Sequence, residues 1–156
     1  MTRTILTGVD NSAAALKAAK KAAVLADAFS SELHVVSAFR VNTINTVRSL
    51  QNTHEHEHEQ VNAAYREIID QQTDQAEAVA LTVAKTLQSD FPELKIISKS
   101  VEGEPGEALV REAEKIDADI IVVGNKRVQG PARILGSIAR TVASQASCDL
   151  HVVHTQ

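Results

Sequence analysis

The amino-acid sequence predicts an α/β protein with an open, five-stranded, mostly parallel sheet in the order 3-2-1-4-5 and helices on both faces. Three observations carry that expectation. Five short apolar runs begin near positions 3, 32, 94, 120 and 149, with helically spaced stretches between them. For such a βαβαβαβαβ alternation, right-handed crossovers give a parallel sheet covered on both sides. The runs are nearly continuous rather than alternating, Ile120, Ile121, Val122 and Val123 most clearly, as strands buried on both faces require. Aromatic residues make up only 3% of the 156 positions while 44% are hydrophobic, so an aliphatic core is required. The simplest organisation is one domain over 1–156.

The first strand is expected at 3–9, with Ile5, Leu6 and Val9 apolar and Gly8 and Asp10 punctuating its end. Asn11 or Ser12 caps a helix over 13–29, whose Leu16, Ala19, Ala23 and Ala26 face inward and whose Lys17, Lys20 and Lys21 face water. The second strand covers 32–39. A polar connection follows over about 41–56, expected to be flexible. A long helix then spans about 57–89, with an inward stripe of Val61, Tyr65, Ile68, Ile69, Ala76, Val79, Ala80, Val83 and Leu87, until Phe91-Pro92 stops it. The third strand lies at 94–101. Pro105 suits the first position of a helix running through 116, with Ala108, Leu109 and Ala113 inward. After the fourth strand, ended by Gly124, a helix over 137–147 is capped by Ser137 and carries Ile138, Val142, Ala143 and Ala146. The fifth strand, 149–154, mixes Leu150, Val152 and Val153 with His151 and His154, the pattern of a sheet edge.

The segment after the fourth strand reverses the local charge. The chain carries a net charge of -4, yet 124–140 contains Lys126, Arg127, Arg133 and Arg140 and no carboxylate. Strand, loop with Gly130 and Gly136, and helix follow one another, and the free N–H groups of a helix start attract anions. This pattern fits a phosphate cradle, and equally an ordinary strand-to-helix connection. In a 3-2-1-4-5 sheet the strand direction switches between strands one and four, and ligands bind beyond the carboxyl ends there. Gly8, Val9 and Asp10 would then meet Gly124 and the residues after it.

A pI near 5.8 excludes a broad nucleic-acid-binding face. No run of 18 apolar residues or signal-peptide pattern appears, so the expectation is a cytoplasmic protein without membrane insertion. Cys148 excludes an internal disulfide and reads as a buried apolar residue. His34 reads as a strand residue. The run HEHEHE places His54, His56 and His58 close together, and His54 and His58 would share a helix face. It reads as a solvated, pH-sensitive helix start in preference to a metal site, because three imidazoles without a rigid scaffold make a loose one. No metal is assigned.

The chain resembles the universal stress protein family over essentially its whole length. The carrying features are ILTGVDNS at 5–12, the GEP turn at 103–105, ADIIVVGN at 118–125, RILGSIA at 133–139 and CDLHVVH at 148–154. The resemblance implies a Rossmann-like, adenine nucleotide alpha hydrolase-like fold binding ATP or another adenine nucleotide, including cyclic AMP, with Mg2+ as an accompanying ion. It would set adenine beside Val9, Asp10 and the main chain at Ala38, and ribose near Val123 and Gly124. Ribose and phosphates would lie against Gly124, Asn125, Lys126, Gly136, Ser137 and Ile138, with Gly8, Arg127, Gly130 and Arg133 completing the site. The carboxylate of Asp10 can accept from an adenine amino group or a sugar hydroxyl, and equally serve as a helix cap.

The departure is Arg127, where the family pattern has its second loop glycine. Arginine there either strains the loop by about 1 kcal/mol or more and fills the phosphate space, or swings onto the phosphates as a bidentate donor. The resemblance further implies a homodimeric regulator of the stress response with an unidentified protein partner. Relatives without the glycine loop imply the alternative, a nucleotide-free dimer acting through protein contacts. The edge strand supports a dimer independently, because Leu150, Val152 and Val153 sit on backbone that a two-fold copy can pair. No paired carboxylates and no Ser/His/Asp set emerge from the loop, so at most slow ATP hydrolysis is expected.

Overall fold

The computed structural model of the chain describes residues 3–41, 55–125 and 135–155, residues 55–58 through their backbone alone. Strands β1 (Thr4–Val9), β2 (Glu32–Phe39), β3 (Ile96–Glu102), β4 (Ile120–Asn125) and β5 (Asp149–His154) form one sheet. Its order is β3-β2-β1-β4-β5. Every pairing is parallel: Ile5 lies opposite Leu33 and Ile120, and Val123 opposite Val152. Thr7, which is fully buried, satisfies its hydroxyl by donating to the Val122 carbonyl at 3.1 Å.

The period of two along each strand divides the core. Ile5, Leu33, Val35, Val122 and Val153 face α1 (Ala13–Ala28) and α2 (Glu55–Asp90). Leu6, Val36, Ile121 and Val123 face α3 (Pro105–Lys115) and α4 (Ser137–Gln145). Helix α1 presents Ala18, Ala19, Ala22, Ala23 and Ala26 to the sheet, a flat face that lets the helix approach closely. Ser12 is its cap, with Oγ accepting from the Ala15 N–H at 3.1 Å.

Helix α2 has 36 residues, about 54 Å at 1.5 Å per residue, and outruns strands of six to eight residues. Its buried residues therefore begin at Ala76 and continue through Ala80, Val83, Ala84 and Leu87. Ile68, expected to face inward, is 48% exposed, because its turn lies in the helix half where no residue of described burial is buried. The helix starts at Glu55, so the expected connection over 41–56 ends earlier; residues 42–54 lie outside the described residues. In its last turn, Gln88 Nε2 lies 2.9 to 3.0 Å from the carbonyl oxygens of Phe91, Pro92 and Leu94 beyond the helix end, and β3 begins only at Ile96.

Helices α1 and α3 end alike. Ser30 and Asp117 adopt φ of 50° and 52°, and the next N–H groups return to the helix, Ser31 to Ala26 O at 2.8 Å and Ala118 to Ala113 O at 2.9 Å. Gly103, with φ of 136°, makes the turn from β3 into α3 and donates its N–H to Phe39 O at 2.8 Å.

Three expectations about the fourth crossover are corrected. Gly124 does not end β4, since the strand continues to Asn125, and Gly124 and Asn125 pair with Val153 and His154. A Cβ on Gly124 would meet Ala14 O and Ala18 Cβ at 3.3 Å, so α1 passes close over this part of the strand. The cap of α4 is Gly136 rather than Ser137, which is its first helical residue. Within α4, Ala143 is exposed and Ala139 buried, one turn off the expected stripe.

Candidate functional site

A cavity of about 350 Å³ opens beyond the carboxyl ends of β1, β2 and β4, between the starts of α3 and α4. It lies at the topological switch point. Its floor and sides are aliphatic: Val9, Val36, Leu109 and Val123 are all buried, with Ala38, Pro105 and Ile138 beside them. Its polar groups are few, and they sit at two ends.

At one end is Asp10, exposed, whose Oδ1 accepts from the Ser12 N–H at 2.8 Å. Asp10 thus leads into α1 while Ser12 caps it, and the carboxylate retains acceptor capacity for a ligand donor. At the other end is the start of α4. The Arg140 N–H turns back to Gly136 O at 2.9 Å, and the N–H groups of Ser137, Ile138 and Ala139 precede the first intrahelical donor. Asn125 closes this end, its Oδ1 accepting from the Gly136 N–H at 2.9 Å.

The cavity brings together Gly8, Val9, Asp10, Ala38, Val123, Gly124, Asn125, Gly136, Ser137 and Ile138, all named from the sequence. Lys126, Arg127, Gly130 and Arg133 lie outside the described residues, as does His54; the side chains of His56 and His58 do too. Sequence reasoning missed Ser12, Ala14, Ala15, Val36, Pro105, Leu109 and Ala139 as site residues. Val36 was recoverable, since it shares a sheet face with Ala38 two positions on. Leu109 was read as core, and it also forms a cavity wall because α3 leans over β1 and β2.

On β5, Leu150 and Val152 are partly buried, whereas Val153 is only 6% exposed and belongs to the core beneath α1. Cys148 lines a separate cavity of about 130 Å³ with Val110, Ala113 and Ala146, and burial pushes its thiol pKa up.

A family model described as the universal stress protein family matches residues 1–154. The chain belongs to the universal stress protein family. A universal stress protein of Mycobacterium tuberculosis is 28% identical over 159 residues, covering 98% of this chain and 97% of the relative. Another family member, from Methanothermobacter thermautotrophicus, is 37% identical over 54 residues, which is 35% of this chain and 37% of the relative. Among solved structures, a universal stress protein in complex with cAMP is 24% identical, with a TM-score of 0.67 over 99% of this chain and 98% of that one. The universal stress protein of Archaeoglobus fulgidus in complex with dAMP is 20% identical, with a TM-score of 0.63 over 96% of each chain. At these identities the likeness to the solved family members is one of fold. Among the described residues no helix is long and apolar enough to cross a membrane.

Proposed function

We propose that the protein binds an adenine nucleotide, ATP, AMP or cyclic AMP, in the cavity at the switch point and serves as a homodimeric regulator of the stress response. The observation that carries this reading is the cavity's division into an aliphatic slot and a donor-rich end. The slot suits the faces of a purine, and a helix start suits a phosphate. Two family members of the same fold have been solved with cAMP and with dAMP.

In this reading adenine lies between Val9, Val36, Ala38 and Leu109, with Asp10 as acceptor for its amino group or for a sugar hydroxyl. Ribose lies by Val123 and Gly124. Phosphate oxygens meet Asn125 and the N–H groups of Ser137 and Ile138, with Lys126, Arg127, Gly130 and Arg133 contributed by the loop and Mg2+ as a companion ion. The whole chain works as one cytoplasmic domain. It neither binds nucleic acid nor enters a membrane, and it supports at most slow hydrolysis. The dimer forms through the outer edge of β5, where Leu150 and Val152 are available and Val153 contributes backbone alone, since its side chain is buried in the core.

The test is calorimetric titration with ATP, AMP and cyclic AMP, paired with mass spectrometry of any small molecule released on heating. Binding by one of the three with loss in Gly136→Val supports the reading. Arg127 in place of the family's loop glycine favours the second reading, a nucleotide-free dimer acting through protein contacts, and failure of all three ligands to bind a dimeric protein would select it.

A further inference from the structure

Helix α2 runs on past the sheet it covers. The chain turns from its end into the start of β3, so the helix lies antiparallel to the strands, and Ser100 Oγ donates to Glu77 Oε1 at 3.4 Å. From Ser100 to the last residue of β3, Glu102, is about 7 Å of strand, which about five helical residues cover. The turns before about residue 72 therefore stand beyond the carboxyl edge of the sheet, the edge on which the cavity opens. From 59 to 75 no residue is buried.

Charge is sorted around this helix. Two adjacent rows carry none: Val61, Ile68, Gln75 and Thr82 in one, Ala64, Gln71 and Ala78 in the other, each repeating every seven residues. Ile68 is 48% exposed, Val61 is half-buried and the rest are exposed. The Thr82 hydroxyl donates to Ala78 O at 2.7 Å, so its hydrogen is already used within the helix. On one side of the rows lie Glu67 and Asp74, exposed; on the other lie Tyr65, Gln72 and Val79, half-buried and uncharged. Neither Glu67 nor Asp74 is held in an ion pair among the described residues.

Such a face suits a helix laid along it. Ala64 and Ala78 let a second backbone come close, Ile68 offers the apolar contact between them, and two carboxylates wait on one side for cations. A second copy of α2 answers this poorly. Antiparallel pairing sets Glu67 against Asp74 of the copy, and parallel pairing sets both acids against Tyr65 and Gln72, so neither direction brings a cation. We infer that this face of α2 is a docking surface for an amphipathic helix of another protein. That helix has small or apolar side chains along its seam and a row of Lys or Arg on the side that meets Glu67 and Asp74. The charge complement selects it over a second copy, and burial of Ile68 holds it. The inference goes beyond the nucleotide reading and does not depend on it.

The test uses two labelled synthetic helical peptides and the full chain without nucleotide. One peptide has alanine and leucine along its seam and a lysine row beside it, and the other has glutamate in place of each lysine. By fluorescence anisotropy the lysine peptide is expected to bind at least about tenfold more tightly than the glutamate peptide. Ile68→Ser, and Glu67→Lys combined with Asp74→Lys, are each expected to weaken the lysine peptide by about tenfold, through lost apolar burial and through like-charge contact. Asp27→Lys combined with Glu93→Lys makes the same change of charge on exposed residues away from this face, and its affinity should stay within about twofold of wild type. In NMR spectra of the wild type the peptide is expected to shift amides within 61–82, a readout that requires no variant to fold. Equal binding of the two peptides, binding of neither, an equal loss in the distant variant, or shifts centred elsewhere overturns the inference. Sedimentation of the free proteins supplies the last outcome: self-association of the wild type that Ile68→Ser abolishes gives the face to a second copy and overturns it as well.

Discussion

Gly8 on β1 and Leu109 on α3 are so close that a Cβ on the glycine would lie 2.6 Å from Leu109 Cδ1 and 3.1 Å from Cδ2. Both residues line the cavity, and Leu109 is buried. In Gly8→Ala the new methyl meets the far end of a flexible side chain rather than backbone, so Leu109 rotates and the strand stays in place. Stability is expected to fall by about 1 to 2 kcal/mol at most, the lower range for one extra methyl group in a packed site. Nucleotide affinity is expected to fall further than stability does, because the displaced leucine narrows the slot. Calorimetry on the folded variant checks this, and unchanged affinity would mean that the Leu109 wall does not meet the ligand.

Ser30 and Asp117 each sit just past a helix end in the left-handed region, where a side chain is disfavoured and glycine is at ease. Ser30→Gly is expected to raise stability by about 0.5 to 1 kcal/mol, since the strain of the β-carbon exceeds the entropy lost by a freer unfolded chain. Asp117→Gly should gain less, because aspartate tolerates this conformation better than most residues. Urea denaturation with an unchanged slope checks both. A lower midpoint for Ser30→Gly would show that the serine contributes more than its backbone costs.

How much of this was legible in the sequence depends on the range of the interactions that decide it. The strands and the alternation of helices between them followed from local patterns, because buried parallel strands must be apolar on both faces. Positions that depend on a neighbour far along the chain were misjudged. Gly124 looked like a strand end, yet it continues β4 because α1 approaches and β5 pairs beside it. Ile68 continues a helical stripe past the point where the sheet stops, and a stripe alone does not reveal where its partner ends. For the site, residues on β1 and β4 could be named from charge, glycines and resemblance. Leu109 and Pro105 reach the cavity only through the packing of α3, and the bond between Asn125 and Gly136 leaves no trace in spacing.

Lys99 on β3 reaches Glu112 on α3, Nζ to Oε1 at 2.7 Å, and the Glu112 side chain is only 7% exposed against 40% for the lysine. The hydrogen bond to Glu112 raises the lysine's pKa above its ordinary value despite the opposing effect of burial. A cation with a raised folded-state pKa contributes stability below the unfolded value, and that contribution is lost as pH rises through the folded one. Lys99→Met should therefore be destabilising at neutral pH, by about 1 to 3 kcal/mol, because it strands a buried carboxylate. The double variant Lys99→Met, Glu112→Leu should recover most of the loss, since neither charge is then left to desolvate. Thermal unfolding of the two variants checks this, and a double variant no more stable than the single would show that the pair itself, not the orphaned acid, carries the effect.

Glu32 opens β2 between a lysine and a histidine. Lys95 Nζ reaches Oε2, and His34 Nε2 lies 2.6 Å from Oε1. The Lys95 hydrogen bond, opposed by burial and aided by His34, holds the carboxyl below the usual glutamate range. A depressed carboxylate contributes stability above its unfolded pKa and loses it as pH falls through its folded pKa. The contribution is about 1 kcal/mol or less, because Lys95 is 70% exposed and solvent screens the pair. Wild type should thus exceed Glu32→Gln in stability at neutral pH, and the gap should close in acid, below the ordinary carboxylate range. Urea midpoints measured for both proteins from neutrality down to about pH 3 check the sign. Parallel curves would acquit Glu32 and move the acid sensitivity to other carboxylates, whereas a gap that widens on acidification would mean that the neutral amide fits this position worse than the charge does.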